Sequence, residues 1–255
     1  MRDELSTLHK ALDVLMTIAH RGGEAKASDL EQELGISRSS LYRIIGTLRS
    51  KNFVEPGAPG CYRLGFGFLV LGLMTDHQIK NMETAVSPIL HDLVRKSGET
   101  AMLTAVSHPD AICVARVESP RPIRLSFEVG RRMPLCSGAS GKILLCFMED
   151  DELERYMAMA KETGLLDRWN ITEAVVREQI RSAREQGYLT TSSEVDSDAF
   201  AISVPVFDAT GSCRYGLSLA GPLGRFEPEK FVPVIKEAAQ QLSHFLFPSQ
   251  RGEEP

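Results

Sequence analysis

The sequence predicts an α+β chain in two parts: a small helical head closed by a β-hairpin, then a larger domain built on an antiparallel sheet. Three observations carry this. Residues 1–65 hold three short amphipathic helical patterns followed by a hairpin signal. Beyond residue 80, strand runs and helix runs are segregated rather than alternating, which argues against a parallel sheet. A chain of 255 residues, 43% hydrophobic and 25% charged, can bury a sizeable core without disulfides or metals.

The first helix is expected over residues 5–20, with Leu8, Leu12, Leu15, Met16 and Ala19 on its core face and Arg21-Gly22-Gly23 ending it. Ser28-Asp29-Leu30-Glu31 is a capping box, so a second helix starts at Ser28 and reaches Leu34. Gly35 permits a tight turn, and Ser37 caps a third helix whose Leu41, Ile44, Ile45 and Leu48 form a buried stripe. Residues 53–55 and 61–64 flank a Pro/Gly-rich turn and read as a hairpin. Three helices and a hairpin make the winged helix-turn-helix layout for residues 1–65.

Residues 66–79 are expected as a linker helix, with Leu69, Val70, Leu73 and Met74 on one side. Residues 80–248 form the second domain. It opens with a helix marked by Val86, Ile89, Leu90, Leu93 and Val94. A hairpin over 101–107 and 111–118 follows, and the alternating run 123–129 continues the sheet. Residues 136–141 are a small-residue loop, then helices are expected over 142–147, 151–161 and 172–186. Strands over 200–206 and 212–220 and a helix over 228–246 complete it, and residues 249–255 are expected as a disordered tail.

Charge is unevenly placed. The chain carries a net −5, yet residues 36–65 hold Arg38, Arg43, Arg49, Lys51 and Arg63 against Glu55 alone, a net of +4. A basic island in an acidic chain is an electrostatic footprint for a polyanion. In a helix-turn-helix the third helix enters the major groove of a DNA duplex. Ser37, Arg38, Ser39, Ser40, Tyr42, Arg43 and Thr47 are its candidate contacts, and Arg63 places a charge on the wing.

Catalytic and metal chemistry find no support. The Ser-Gly-Ala-Ser-Gly-Lys142 run lacks the first glycine and the final hydroxyl of a phosphate loop. No G-x-S-x-G elbow is present. Six scattered histidines and five scattered cysteines show no metal or disulfide spacing, so neither a cofactor nor a metal is expected. No apolar run is long enough for a membrane span, and the N-terminus lacks a secretory signal, which together predict a cytoplasmic protein. An enzyme domain with Cys136 or Glu194 as the reactive group, fused to a DNA-binding head, is the alternative. The binding reading asks for less. The loop leading into Lys142 offers backbone amides to a carboxylate. Ala201, Ser203, Ser218 and Ala220 are small enough to leave room for a ligand, and Leu125 and Phe127 would wall it.

These residues carry a family likeness. The run Gly35-Ile-Ser-Arg-Ser-Ser-Leu-Tyr-Arg43, with Thr47-Leu48 and Tyr62-Arg-Leu-Gly65, resembles the head of the IclR family of transcription regulators. Gly98-Glu-Thr100, Gly130, Pro134-Leu135, Gly141-Lys142, Gly187-Tyr188, Glu194, Pro205-Val206, Asp208 and Gly221-Pro222 with Arg225 continue the likeness in order. The resemblance implies a ligand-responsive regulator of small-molecule catabolism without catalysis. It implies a GAF-like effector domain with an antiparallel sheet, double-stranded operator DNA as partner, and homodimers or homotetramers. It also implies a small organic acid or aromatic metabolite as effector. By position it places effector contacts at Ala139, Ser140, Gly141, Ala201, Ser203, Ser218 and Ala220, with Thr191 and Glu194 at the rim. One departure is the loop, which reads Ser137-Gly-Ala-Ser140 where members usually carry Thr-Ala or Ser-Gly.

Overall fold

The structure, a computed structural model, describes residues 6–248, with side chains described outside 72–85. Leu5, the side chains of Leu73 and Met74, and the expected tail 249–255 lie outside the described residues. The chain divides into two units, Met1–Lys80 and Asn81–Pro255.

The first unit holds α1 (Ser6–His20), β1 (Glu24–Lys26), α2 (Ala27–Leu34), α3 (Arg38–Ser50), β2 (Val54–Pro56) and β3 (Cys61–Leu64). The three strands form one antiparallel sheet in the order β1-β3-β2. Val14, Leu15, Ile18, Leu30, Leu41, Ile44 and Ile45 make its core, with Leu48 packed on the edge. Gly35 ends α2 with φ 60°, the left-handed conformation that a glycine adopts without penalty.

Three expectations for this unit are corrected. Leu8, Leu12, Met16 and Ala19 do not face the core; they are exposed, because α1 is apolar on more than one side and packs through Val14, Leu15 and Ile18. The capping box at Ser28 does not form. Pairing of β1 with β3 holds Lys26 extended and starts α2 at Ala27, so the Ser28 hydroxyl donates to Asp29 Oδ1 (3.1 Å) instead. Ser37 does occupy the N-cap of α3, but makes no capping bond to the backbone.

A single helix, α4 (Gly67–Ser97), replaces the two expected over 66–78 and 86–98. The polar stretch between them breaks the apolar period without breaking the helix, and Pro88 is carried inside it. The second unit continues with β4 (Thr100–Ser107), β5 (Asp110–Val117), β6 (Arg132–Pro134), α5 (Gly138–Cys146), α6 (Asp150–Glu162), α7 (Leu165–Arg168) and α8 (Glu173–Gln186). It ends with β7 (Leu189–Ser192), β8 (Ala199–Phe207), β9 (Cys213–Pro222), a 3-10 turn at Leu223–Arg225, and α9 (Pro228–Leu246).

Its sheet runs β6-β5-β4-β9-β8-β7, every neighbouring pair antiparallel. One core cluster joins Leu90 and Leu93 of α4 and Phe231 and Ile235 of α9 to Leu103, Ile202 and Leu217 of the sheet. A second joins Ile143 of α5, Tyr156 of α6 and Ile180 of α8. The sheet is thus covered on both faces, and α5 lies on the face that carries Met102, Thr104 and Ser218. Residues 123–129 are not a strand. Their alternation reflects the burial of Phe127 and half-burial of Leu125, not a hydrogen-bond ladder. The expected loop at 136–141 is also shorter: α5 begins at Gly138, so Ala139, Ser140 and Gly141 are its first turn.

Candidate nucleic-acid interface and ligand cavity

The α3 surface follows from its amphipathic pattern: burying Leu41, Ile44 and Ile45 turns Arg38, Ser39, Tyr42, Arg43 and Thr47 outward, with Ser40 half-buried. The Arg38 side chain is 78% exposed, 4.0 Å from Glu31, and its guanidinium lies 5.8 Å from the Tyr42 ring centroid. Tyr42 in turn meets Tyr62 of the hairpin edge-to-face, with centroids 6.5 Å apart. Among the described residues Arg43 has no ion-pair partner, so its guanidinium can reach a phosphate or a base edge.

Two of the predicted contacts are partly committed elsewhere. The Thr47 hydroxyl donates to Arg43 O (3.0 Å), and Arg63 pairs with Glu55 across the hairpin at 2.7 Å. At the helix start Ser37 Oγ donates to Ser40 Oγ (3.0 Å), leaving the first-turn amides of α3 for an anion.

The second unit holds a small cavity of about 30 Å³ between the start of α5 and the sheet. Leu125, Phe127, Ala139, Ser140, Thr191, Glu194, Ala201, Ser218 and Ala220 line it. Gly141 and Ser203 do not. A Cβ on Gly141 would sit 2.7 Å from Pro134 O, so that residue serves the packing of α5. Ser203, fully buried, shares a hydrogen bond of 2.6 Å with Ser218. Sequence reasoning missed Met102, Met133, Gly138, Val195, Asp196, Ala199 and Phe200, which also line the cavity. Strand register brings Met102 opposite Ser218 and Ala201 opposite Ala220, and a single sequence carries no signal for that pairing.

Lys142 is 1% exposed and pairs with Glu194, while Gln179 Oε1 of α8 accepts from the same ammonium at 2.7 Å. Glu194 thereby brings the turn after β7 against α5. Among the described residues its second carboxylate oxygen is buried without a partner, as is the Ser137 hydroxyl at the N-cap of α5. Above the cavity, Thr100 Oγ1 donates to Leu125 O (2.7 Å). Near the start of the same segment, Arg121 and Arg225 both bind the fully buried Glu99. Burial pushes the Cys136 thiol up, which keeps it protonated and unreactive at neutral pH. A larger open groove of about 660 Å³ lies by α8 and α9, but its cations are committed: Arg184 to Cys146 O and Lys236 to Gln186 O.

A basic recognition helix in one unit and a cavity beside a helix N-terminus in the other define a DNA-binding regulator of transcription. The chain belongs to the IclR family: the IclR helix-turn-helix domain matches residues 7–57, and the bacterial transcriptional regulator IclR C-terminal domain matches residues 76–244. It is 27% identical over 249 residues to the HTH-type transcriptional regulator KipR of Bacillus subtilis, covering 95% of this chain and 98% of that one. An IclR-type regulator from Silicibacter sp. TM1040 shares the fold with a TM-score of 0.79 at 22% identity, covering 98% of this chain and 99% of that one. An IclR homolog from Microbacterium hydrocarbonoxydans, solved as its 4-hydroxybenzoate complex, superposes with a TM-score of 0.76 at 20% identity, covering 94% and 98%. The family is one of bacterial transcriptional regulators. Among the described residues no helix is long and apolar enough to cross a membrane.

Proposed function

We propose that the chain is an effector-responsive regulator of genes for small-molecule catabolism, working in the cytoplasm on double-stranded operator DNA. Its working parts are a DNA-binding head over 1–65, a linker over 66–79 and an effector domain over 80–248. Arg38 and Arg43 face the major groove, the α3 amides and serines meet phosphate, and a small organic acid or aromatic metabolite enters the cavity by α5. The observation that carries this reading is that one chain holds both an outward basic helix and a small cavity edged by Glu194, one of whose carboxylate oxygens is buried without a partner among the described residues. The 4-hydroxybenzoate bound by the Microbacterium hydrocarbonoxydans homolog supports an aromatic acid as one candidate.

The protein acts as a homodimer or homotetramer. The exposed stripe Leu8, Leu12 and Met16 on α1, and the exposed Phe66, Phe68 and Leu69 after β3, are apolar surface that a second copy would cover. Two heads then read the halves of a palindromic site. Effector binding biases the head through the linker, which requires a coupling of only about 1–3 kcal/mol.

The test is DNA affinity by fluorescence anisotropy, on fragments upstream of the gene, with and without a panel of organic acids and at several salt concentrations. Specific binding that weakens steeply with salt and shifts about fivefold or more with one acid is expected. Binding to no fragment at low salt would overturn the reading.

A further inference from the structure

We propose that Glu24 is a positioning residue for DNA binding: its carboxylate holds the turn of the wing, residues 56–60, in the shape that meets the duplex. The proposal rests on the DNA-binding reading above and adds to it a residue that lies outside the basic island.

Glu24 opens β1 and stands opposite Arg63 on β3, while Glu55 of β2 stands opposite the same arginine from the other side. Directly opposed residues of antiparallel strands share a face, so glutamate, arginine and glutamate form one row across the sheet. Only one of the two acids takes the arginine. Arg63 pairs with Glu55 at 2.7 Å, and among the described residues it makes no ion pair with Glu24. The Glu24 carboxylate turns to the wing instead, where its Oε1 accepts from the Ala58 amide (3.2 Å). A Cβ on Gly57 would lie 2.5 Å from Glu24 Oε2 and 2.7 Å from its Cδ. The carboxylate thus fills the space that a side chain at position 57 would need, directly against the backbone of the turn.

The turn has few other restraints. Gly57 N donates to Cys61 O (3.0 Å) and Cys61 N to Ala58 O (2.7 Å), which close the hairpin, and Ala27 N donates to Gly60 O (3.0 Å). Among the described residues Glu24 is the only side chain that hydrogen-bonds residues 56–60. The tip, Ala58-Pro59-Gly60, is exposed and carries no charge. What it brings to a duplex is therefore the placement of its backbone, and a loop placed in advance loses less entropy on binding. Glu24 supplies that placement but also adds a negative charge beside the DNA, which opposes binding on any sequence. The two effects have opposite signs and can be separated. Glu24→Gln keeps an acceptor oxygen and removes the charge, whereas Glu24→Ala removes both. Gly57→Ala keeps the charge and displaces the carboxylate, the flexible end of a side chain, while the β1–β3 ladder stays intact.

Competition binding by the full chain tests this, on a duplex from upstream of its gene and on a scrambled duplex of the same composition. Amide hydrogen exchange of residues 56–61 in the free protein is the second readout. Glu24→Ala and Gly57→Ala are expected to weaken binding to the upstream duplex about threefold to tenfold, as loss of one hydrogen bond would. Neither should weaken binding to the scrambled duplex, and both should speed exchange at Ala58. Glu24→Gln should bind the upstream duplex as tightly as the parent or tighter, because the acceptor is present without the charge. Should Glu24→Ala lower Tm, Gly57→Ala and Glu24→Gln decide. Upstream binding unchanged or tighter in both alanine variants, or as weak in Glu24→Gln as in Glu24→Ala, overturns the proposal and leaves the DNA-binding reading standing. A parent chain that binds neither duplex at low salt overturns both.

Discussion

The Lys142 ammonium, 1% exposed, is paired with the Glu194 carboxylate, so one buried ion pair joins the first turns of α5 to the turn after β7. Burying a charge is tolerable only while its partner remains. Glu194→Ala leaves Lys142 with Gln179 alone and is expected to cost about 3–5 kcal/mol. Adding Lys142→Met to that variant should recover most of the loss, because the orphaned charge is then gone. Urea unfolding of both variants at unchanged m reads the difference. A double variant as unstable as the single one would show that the pair matters for packing rather than for charge.

Glu99 makes a related but distinct junction. It is fully buried and accepts from Arg225 Nε (2.6 Å), Arg225 Nη2 (2.9 Å) and Arg121 Nη1 (2.9 Å). Arg225 Nη2 also donates to Ile123 O (2.9 Å), which ties the start of the 123–129 segment to the chain just beyond β9. Glu99→Ala is therefore expected to lower stability by several kcal/mol, about 3–5. It should also speed amide hydrogen exchange across 123–129 before the β4–β9 pair is affected. Uniform loss of protection over the second unit would mean that the segment has no independent opening for Glu99 to restrain.

How much of this was legible beforehand depends on the kind of signal. The recognition helix was readable because its apolar stripe and its basic face are both local, and the structure places Arg38, Tyr42 and Arg43 outward as that period requires. Local signals failed where tertiary pairing outranked them. The Ser28 capping box lost to the β1–β3 pairing, and the alternation of Leu125 and Phe127 reported a buried side without a ladder. The small-residue run gave no periodicity, which hid the fact that α5 starts at Gly138. Met102, Ala199 and Phe200 reach the cavity only through strand register, and no single strand encodes that.

The thiols give a prediction with a defined sign in pH. Burial pushes Cys146 from an ordinary 9.0 up to about 12, and pushes Cys136 up as well. A folded state that keeps a proton the unfolded chain sheds is stabilised at low pH. The contribution from Cys146 is full below about pH 9 and is lost as pH rises from about 9 to 12. Cys146→Ala should accordingly lose stability less steeply than the parent over that window. At pH 8, an aromatic disulfide reagent should label half-buried Cys61 first, and reach Cys136 and Cys146 only in denaturant. Fast labelling of Cys136 in the folded protein would reopen the case for a reactive thiol.

Arg43 and Arg63 were both expected at the DNA, yet their surroundings separate them. Arg43 lies exposed on the middle of α3 with no ion-pair partner among the described residues, whereas Arg63 is already paired with Glu55 at 2.7 Å. A guanidinium that must first leave a carboxylate gives up part of what it gains from a phosphate. Arg43→Ala should weaken specific binding about tenfold to a hundredfold and relax preference at one operator position, as a bidentate base contact would. Arg63→Ala should weaken binding a few-fold, alike on all sequences, and flatten the salt dependence by less than one phosphate contact. Competition binding on an operator and on a scrambled duplex, each at three salt concentrations, separates the two roles. Equal losses on both duplexes for Arg43→Ala would assign Arg43 to phosphate. A larger effect for Arg63 than for Arg43 would mean that the Glu55 pair opens on binding and that the wing, not α3, supplies the principal contact.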